Sequence, residues 1–318
     1  MIVAEATAPG KIILFGEHAV VYGRPAIAAP ISQLRAKAHV YYSSSNNCYL
    51  IAPDLQRHDR LDDLPMDDAL ATAVRQLVAA AGLEQAPDVT IHVRSDIPIA
   101  SGMGSGAAIA AAIIRALAKH LNRLDLQENS VVSALTYEVE KIHHGTPSGI
   151  DNSVVAYERP ICFVRQSPQN SIEPFSVTTP LRFLVADSGI RSSTKTVVED
   201  VRRQWRADPT TFDHIFDQCG RIAQAARTAI ETGDVAQVGA LMTENHKWLQ
   251  EMMVSSSELD KLVTAALQAG ALGAKLSGAG RGGNIIALVK GDIEETAVRA
   301  ALKTVGATTV LTTVLTSP

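Results

Sequence analysis

The chain has 318 residues, 46% hydrophobic and 19% charged, with a formal net charge of −4. That length suits two domains or one large one. The composition excludes a disordered chain, and the charge, with no long basic run, excludes a dedicated nucleic-acid surface. No stretch of ~18 apolar residues offers a membrane span, and Glu5, Pro9 and Lys11 interrupt what would be the apolar core of a signal peptide. Cys48, Cys162 and Cys219 lie far apart with no CxxC pair, as expected of buried or free thiols in a reducing compartment. A soluble, cytoplasmic protein is expected.

In chain order, residues 2–8 and 11–15 read as strands on either side of a Pro9-Gly10 turn. Lys11 then shares a strand face with Ile13 and Phe15, either as a snorkelling surface residue or as a buried cation awaiting an anion. Residues 26–42 are apolar and β-branched enough for further strands, and the acidic segment 53–68 reads as a solvated loop before a helix at 67–81. Residues 89–94 alternate as a strand does. Behind them, IPIASGMGSGAAIAAAIIRAL (97–117) combines a glycine-rich turn with a run of high helix propensity. Such a turn suits a phosphate, because the backbone can approach closely and the helix start offers unpaired N–H groups. A glycine-rich turn with no ligand fits this stretch equally well.

A helix at 127–142 holds Glu138 and Glu140 and runs into HHGTPSGID (143–151). His143 and His144 are sequence neighbours that point apart, so a polar turn is the simpler reading than a metal site. Asp151 opens an apolar run and is drawn toward the interior. A boundary is expected at 166–178, followed by a strand at 182–186 and a helix at 195–206 capped from the Ser192–Lys195 cluster. Helices follow at 210–231, 234–252 and 257–269, with Met242, Leu249, Met252 and Met253 as core residues. The last glycine-rich element, Lys275 to Asn284, leads into a strand at 285–289, and the tail adds one helix and one strand.

Three familiar chemistries fail on residue identity. Gly102-x-Gly104-x-x-Ala107 fits a dinucleotide fingerprint, but Asp125 follows a helical run where a second strand should end. A Walker loop would need glycine at Glu5 and Ser/Thr at Ile12. A G-x-S-x-G elbow around Ser105 has Met103 in its first position. A phosphoryl-transfer site needs a polyphosphate cradle, a cation, a metal carboxylate and a group near the acceptor hydroxyl. The 102–106 loop, Lys11, Glu140 and Asp151 are candidates for the four parts.

PGKIILFGEHAVVYG (9–23), IPIASGMGSGAA (97–108), EKIHHGTPSGID (140–151) and KLSGAGRGGN (275–284) resemble, in order and spacing, the motifs of the GHMP small-molecule kinases. GEHAVVYG, HGTPSGID, DSGIRSSTK (187–195) and the helical segment around Asn245 favour the branch that phosphorylates mevalonate. The resemblance covers nearly the whole chain. It implies a two-domain α/β fold, with an N-terminal domain like ribosomal protein S5 domain 2 over 1–170 and a ferredoxin-like C-terminal domain over 171–318. It also implies an active site between them and transfer of the ATP γ-phosphate to the 5-hydroxyl of (R)-mevalonate.

By motif position, the resemblance makes Asp151 the residue that takes the hydroxyl proton and Lys11 its partner. Glu140 becomes the Mg²⁺ carboxylate. Glu17, His18, Thr194 and Ser277 become acceptor contacts. ATP falls to Ser95 and to Pro98, Ile99, Ala100, Ser101, Gly102, Met103, Gly104, Ser105, Gly106, Ala107 and Ala108. Two departures stand out. Gly106 occupies the place of a serine that usually ligates the metal, which leaves water or Ser105 to supply the oxygen. Arg281 interrupts a loop that is usually all glycine and alanine, either as a phosphate fork or as a solvent-facing side chain. Family members often dimerise, so a homodimer is compatible with the resemblance. Alternatives are a phosphomevalonate, homoserine or sugar kinase, a related decarboxylase, or a non-catalytic sensor that keeps the fold.

Overall fold

The computed structural model describes residues 2–98, 102–144, 147–167 and 169–317. Strand β1 (Ile2–Phe15) is followed by β2 (Ala26–Tyr42), β3 (Tyr49–Ala52) and β4 (Arg57–Arg60). Next come α1 (Ala69–Ala80), β5 (Val89–Ser95), α2 (Ser105–His120), α3 (Asn129–His144), α4 (Ile150–Tyr157), β6 (Ile161–Val164) and β7 (Ser171–Pro174). The remainder is β8 (Leu181–Asp187), α5 (Thr194–Ala207), α6 (Pro209–Thr232), α7 (Val235–Glu251), α8 (Ser257–Gln268), β9 (Gly273–Ser277), β10 (Asn284–Val289), α9 (Asp292–Thr304) and β11 (Thr309–Leu315). Among the described residues, no helix is long and apolar enough to cross a membrane. The three cysteines are buried free thiols.

Contacts divide the chain into two compact units, Met1–Lys11 with Ser32–Glu158, and Ile12–Ile31 with Arg159–Pro318. These units differ from the expected 1–170 and 171–318 division. Residues 12–31 pack with the later part of the chain, and the break falls at 158/159.

In the first unit, β2 pairs with β5 from Ala36↔Ser95 to Tyr42↔Val89, and β5 continues to β3 and β4. The β3–β5 pair is parallel, so the chain must cross over between them, and α1 makes that crossover. Asp68 starts α1 by accepting from the Ala71 N–H at 2.9 Å. The acidic segment before α1 folds rather than dangling in solvent, with Arg57 gripping Asp59 at 2.6 Å and Asp68 at 2.8 Å. Helix α2 is buried nearly all round, as its alanine-rich sequence allows, and packs against α1, α3 and α4.

In the second unit, β11-β8-β10-β9 form an antiparallel sheet. Ala274, Leu276, Ile285 and Ala287 from that sheet join Leu249, Met252, Leu259 and Phe216 from the helices in one core. Met242, Leu249 and Met252 are buried as expected, whereas Met253 is exposed at positive φ just after α7.

Strand β1 corrects one expectation. It runs unbroken through Pro9-Gly10, with no turn there. Glycine at position 10 is a matter of close approach: a Cβ would lie 3.1 Å from the Met103 carbonyl oxygen.

Candidate active site

In the first unit, β1 and the glycine loop meet backbone to backbone. The Lys11 N–H donates to the Met103 carbonyl at 2.9 Å. Gly104 follows at φ +74° as the N-cap of α2, with no side chain capping the helix start. A Cβ on Gly104 would stand 2.8 Å from the Lys11 Cγ, so the loop lies directly on the lysine stem. Lys11 is buried, and its Nζ lies 3.0 Å from Asp151 Oδ1. Asp151 sits in the first turn of α4 behind Gly149 at φ +97°, where a helix start favours negative charge.

Helices α3 and α4 hold the carboxylates in place through a polar seam. Asn152 Nδ2 donates to Ser133 Oγ at 2.9 Å and to the Ser133 carbonyl at 3.1 Å, and Ser153 Oγ donates to the Gly149 carbonyl at 2.6 Å. Glu140, on α3, is 3% exposed. Burial raises its carboxyl well above the usual carboxylate range. The Asp151 charge adds to the rise, and the Lys11 charge only partly opposes it. Near neutral pH Glu140 therefore holds its proton, and the Asp151 charge faces Lys11.

Ser105 and Gly106 are half-buried in the first turn of α2, while Met103, Ala107 and Ala108 are buried and Gly102 is exposed. Ile99, Ala100 and Ser101 lie outside the described residues, as do the His143 and His144 side chains. Ser95 ends β5 in a tight turn, its Oγ accepting from the Ile97 N–H at 3.2 Å and its own N–H donating to Asp54 at 3.0 Å. It lines a small pocket with Ala52, Leu55, Val93 and Ile109.

In the second unit, the Gly16-Glu17-His18 turn is tied to β9 and the loop after it. Ser277 Oγ donates to the Ile13 carbonyl at 2.7 Å, and the His18 Nε2 lies 2.8 Å from the Ala279 carbonyl. A carbonyl only accepts, so Nε2 carries the proton and Nδ1 keeps its lone pair. Burial pushes the His18 imidazole down to about 4, the Ala279 contact opposes this, and the Arg281 charge adds to it. Glu17 forms a fully buried ion pair with Lys275. Spacing and motif assign Lys275 no role; its signal in the sequence is a lone lysine in the small and apolar run GALGAKL.

Thr194 is the first residue of α5 and is exposed, with Ser193 capping the helix. Arg281, part-exposed, meets two partners within the second unit. At φ +54° it bonds Asp200 at 2.6 Å and the Met253 carbonyl at 3.2 Å, and it holds Asp200 below the usual carboxylate range. Arg191 is similarly occupied, reaching both oxygens of Asp187 at 2.9 and 2.8 Å.

Residues 69–159 match the GHMP kinases N terminal domain and residues 226–308 the GHMP kinases C terminal domain. The chain is 34% identical to the mevalonate kinase of Pyrococcus abyssi, over 96% of this chain and 94% of that one. It is 36% identical to the mevalonate kinase of Aeropyrum pernix, over 92% and 90% of the two chains. The crystal structure of L. major mevalonate kinase in complex with R-mevalonate superposes with a TM-score of 0.85 at 29% identity, covering 100% of this chain and 98% of that one. The chain belongs to the GHMP kinases, in the family of the mevalonate kinases.

Proposed function

We propose that the protein transfers the γ-phosphate of ATP to the 5-hydroxyl of (R)-mevalonate, giving 5-phosphomevalonate. The observation that carries this reading is the Lys11–Asp151 pair, 3.0 Å apart, with the uncapped start of α2 laid on the lysine stem. Asp151 accepts the hydroxyl proton as the oxygen attacks the γ-phosphorus, and ADP leaves with the bridging oxygen. Lys11 steadies the negative charge that builds on the attacking oxygen. The N–H groups at the start of α2 receive phosphate oxygens.

The residues present fit Mg²⁺. The Glu140 carboxyl, held neutral by burial and by the Asp151 charge, would give up its proton on taking the ion, and Mg²⁺ is held by one or two carboxylates with phosphates and water completing its shell. Glu140 would be the protein ligand, with the Ser105 hydroxyl or a water in the place that Gly106 leaves without a side-chain oxygen. When bound, the ion neutralises phosphate charge. His18, through the Nδ1 lone pair, is a contact for an acceptor hydroxyl, and Ser277 can accept through its remaining lone pair. Thr194 stands ready as a further contact at the start of α5.

Acceptor choice is supported by the occupied arginines. A phosphorylated acceptor calls for a cationic cluster beyond Arg191, Lys195 and Arg281, and two of these three, Arg191 and Arg281, already face an aspartate. The reading is tested by coupled ADP release with mevalonate, phosphomevalonate, homoserine and galactose as separate acceptors, with products identified. Turnover of mevalonate without CO₂ release is expected. No turnover of mevalonate overturns the reading.

A further inference from the structure

The end of β1 and the Gly16–His18 turn after it are held at three points along β9 and its loop, of which two are ordinary hydrogen bonds: Ser277 to Ile13 in β1 and His18 to Ala279. The third is the ion pair of Glu17, 1% exposed, with Lys275, 0% exposed. Lys275 Nζ also donates to the Leu276 carbonyl at 2.7 Å. On β9, Ala274 and Leu276 point into the core, so strand alternation turns Lys275 to the opposite face, where Glu17 meets it.

Packing alone does not account for this pair. Removing two charges from water is costly, and apolar residues of similar volume often serve stability as well or better. Nor is the turn relaxed by itself. Gly16 adopts φ +88° with no room for a Cβ, which would lie 2.5 Å from the Pro25 carbonyl oxygen. His18 adopts φ +59°, which is rare for a residue with a side chain. Conformations of this kind persist where surrounding contacts over-determine them.

Building on the mevalonate reading above, we infer that Lys275 is a positioning residue for the acceptor: its buried ion pair with Glu17 holds the Gly16–His18 turn so that the His18 imidazole keeps the orientation that binds the acceptor. Glu17 thereby acts as an anchor within the turn, with its carboxylate committed to the lysine. Lys275 touches no reacting atom, and its effect appears in acceptor binding.

The full chain is compared with Lys275→Met and with the charge-free pair Lys275→Met/Glu17→Leu, which keeps the space filled should the single variant not fold. Steady-state kinetics give separate KM values for mevalonate and ATP, and the imidazole ¹⁵N resonances of His18 are recorded without substrate. In whichever variant folds, the mevalonate KM rises by about tenfold or more, the ATP KM stays within about twofold, and the His18 resonances move. A folded variant that keeps the parental value of either readout overturns the assignment. An equal rise in both KM values does so as well, and so does failure of both variants to fold, which would make the pair purely structural. If the parent chain does not turn over mevalonate, the functional reading fails. The His18 resonances then decide the positioning role alone, moved in its favour and unmoved against it.

Discussion

Two lysine–carboxylate pairs in this molecule share one chemistry and differ in setting. Lys11 and Asp151 stand 3.0 Å apart with side-chain exposures of 6% and 25%, beside a glycine turn and an uncapped helix start. Lys275 and Glu17 are sealed, at 0% and 1%. An ion pair with one face open can exchange its partner for a substrate group or pass a proton. A sealed pair can do neither, so its charges serve geometry. Accessibility, more than residue type, separates a reacting pair from an anchoring one.

The strongest way to break that comparison is Asp151→Asn. Amide for carboxylate keeps shape and removes the proton acceptor, so kcat should fall by about 10²–10⁴-fold while ATP still binds. Turnover by coupled ADP release and nucleotide affinity by calorimetry measure the two halves of that statement. A near-parental rate would remove Asp151 from the reaction.

A pH experiment probes how well the second unit's turn is sealed. His18 titrates at about 4 in the fold and near 6.5 when unfolded. The unfolded chain therefore binds more protons between those values, and stability rises with pH across that window and is lost on acidification. Moving from pH 6.5 to pH 5 should cost about 1.6 kcal/mol through this residue. Urea unfolding at both values, for the parent and for His18→Asn, reads it as a steeper pH slope in the parent. Equal slopes would show that folding leaves the His18 pKa unshifted.

The mildest change sharpens the open pair. Gly104→Ala brings a Cβ to 2.8 Å from the Lys11 stem and imposes φ +74° on alanine. A stability loss of about 1–2 kcal/mol is expected, together with a fall in kcat of roughly tenfold as Lys11 is displaced. Thermal melting and steady-state rates test both effects. An active, stable alanine variant would show that the loop need not rest on the lysine.

Much of the secondary structure was legible because it rests on local periodicity and caps. The helices expected at 195–206, 210–231, 234–252 and 257–269 appear at 194–207, 209–232, 235–251 and 257–268. Their starts are marked by Ser193, Asp208, Asp234 and Ser256, each accepting a backbone N–H. Where long-range contact decides, local reading missed. Pro9-Gly10 has the composition of a turn, yet β1 runs through it, because the missing side chain at Gly10 makes room for the Met103 carbonyl ninety-three residues away. The acidic 53–68 segment has the composition of a solvated loop, yet Arg57 draws two of its aspartates into ion pairs. Neither the Asp200 that claims Arg281 nor the Asp187 that claims Arg191 could be paired from spacing alone.

By itself the sequence determined the ordered motifs, and with them the family, because glycine, lysine and carboxylate at those positions carry the chemistry wherever the chain is drawn. It also determined that a glycine loop at 102–106 precedes a buried, alanine-rich helix. Tertiary structure decided the employment of each charge. Lys11 and Lys275 are both lysines in apolar strands next to glycine-rich segments, indistinguishable by local pattern. One meets Asp151 with a face left open, and the other meets Glu17 under complete burial. Desolvation depends on everything packed around a group, and that information exists only once the chain has folded.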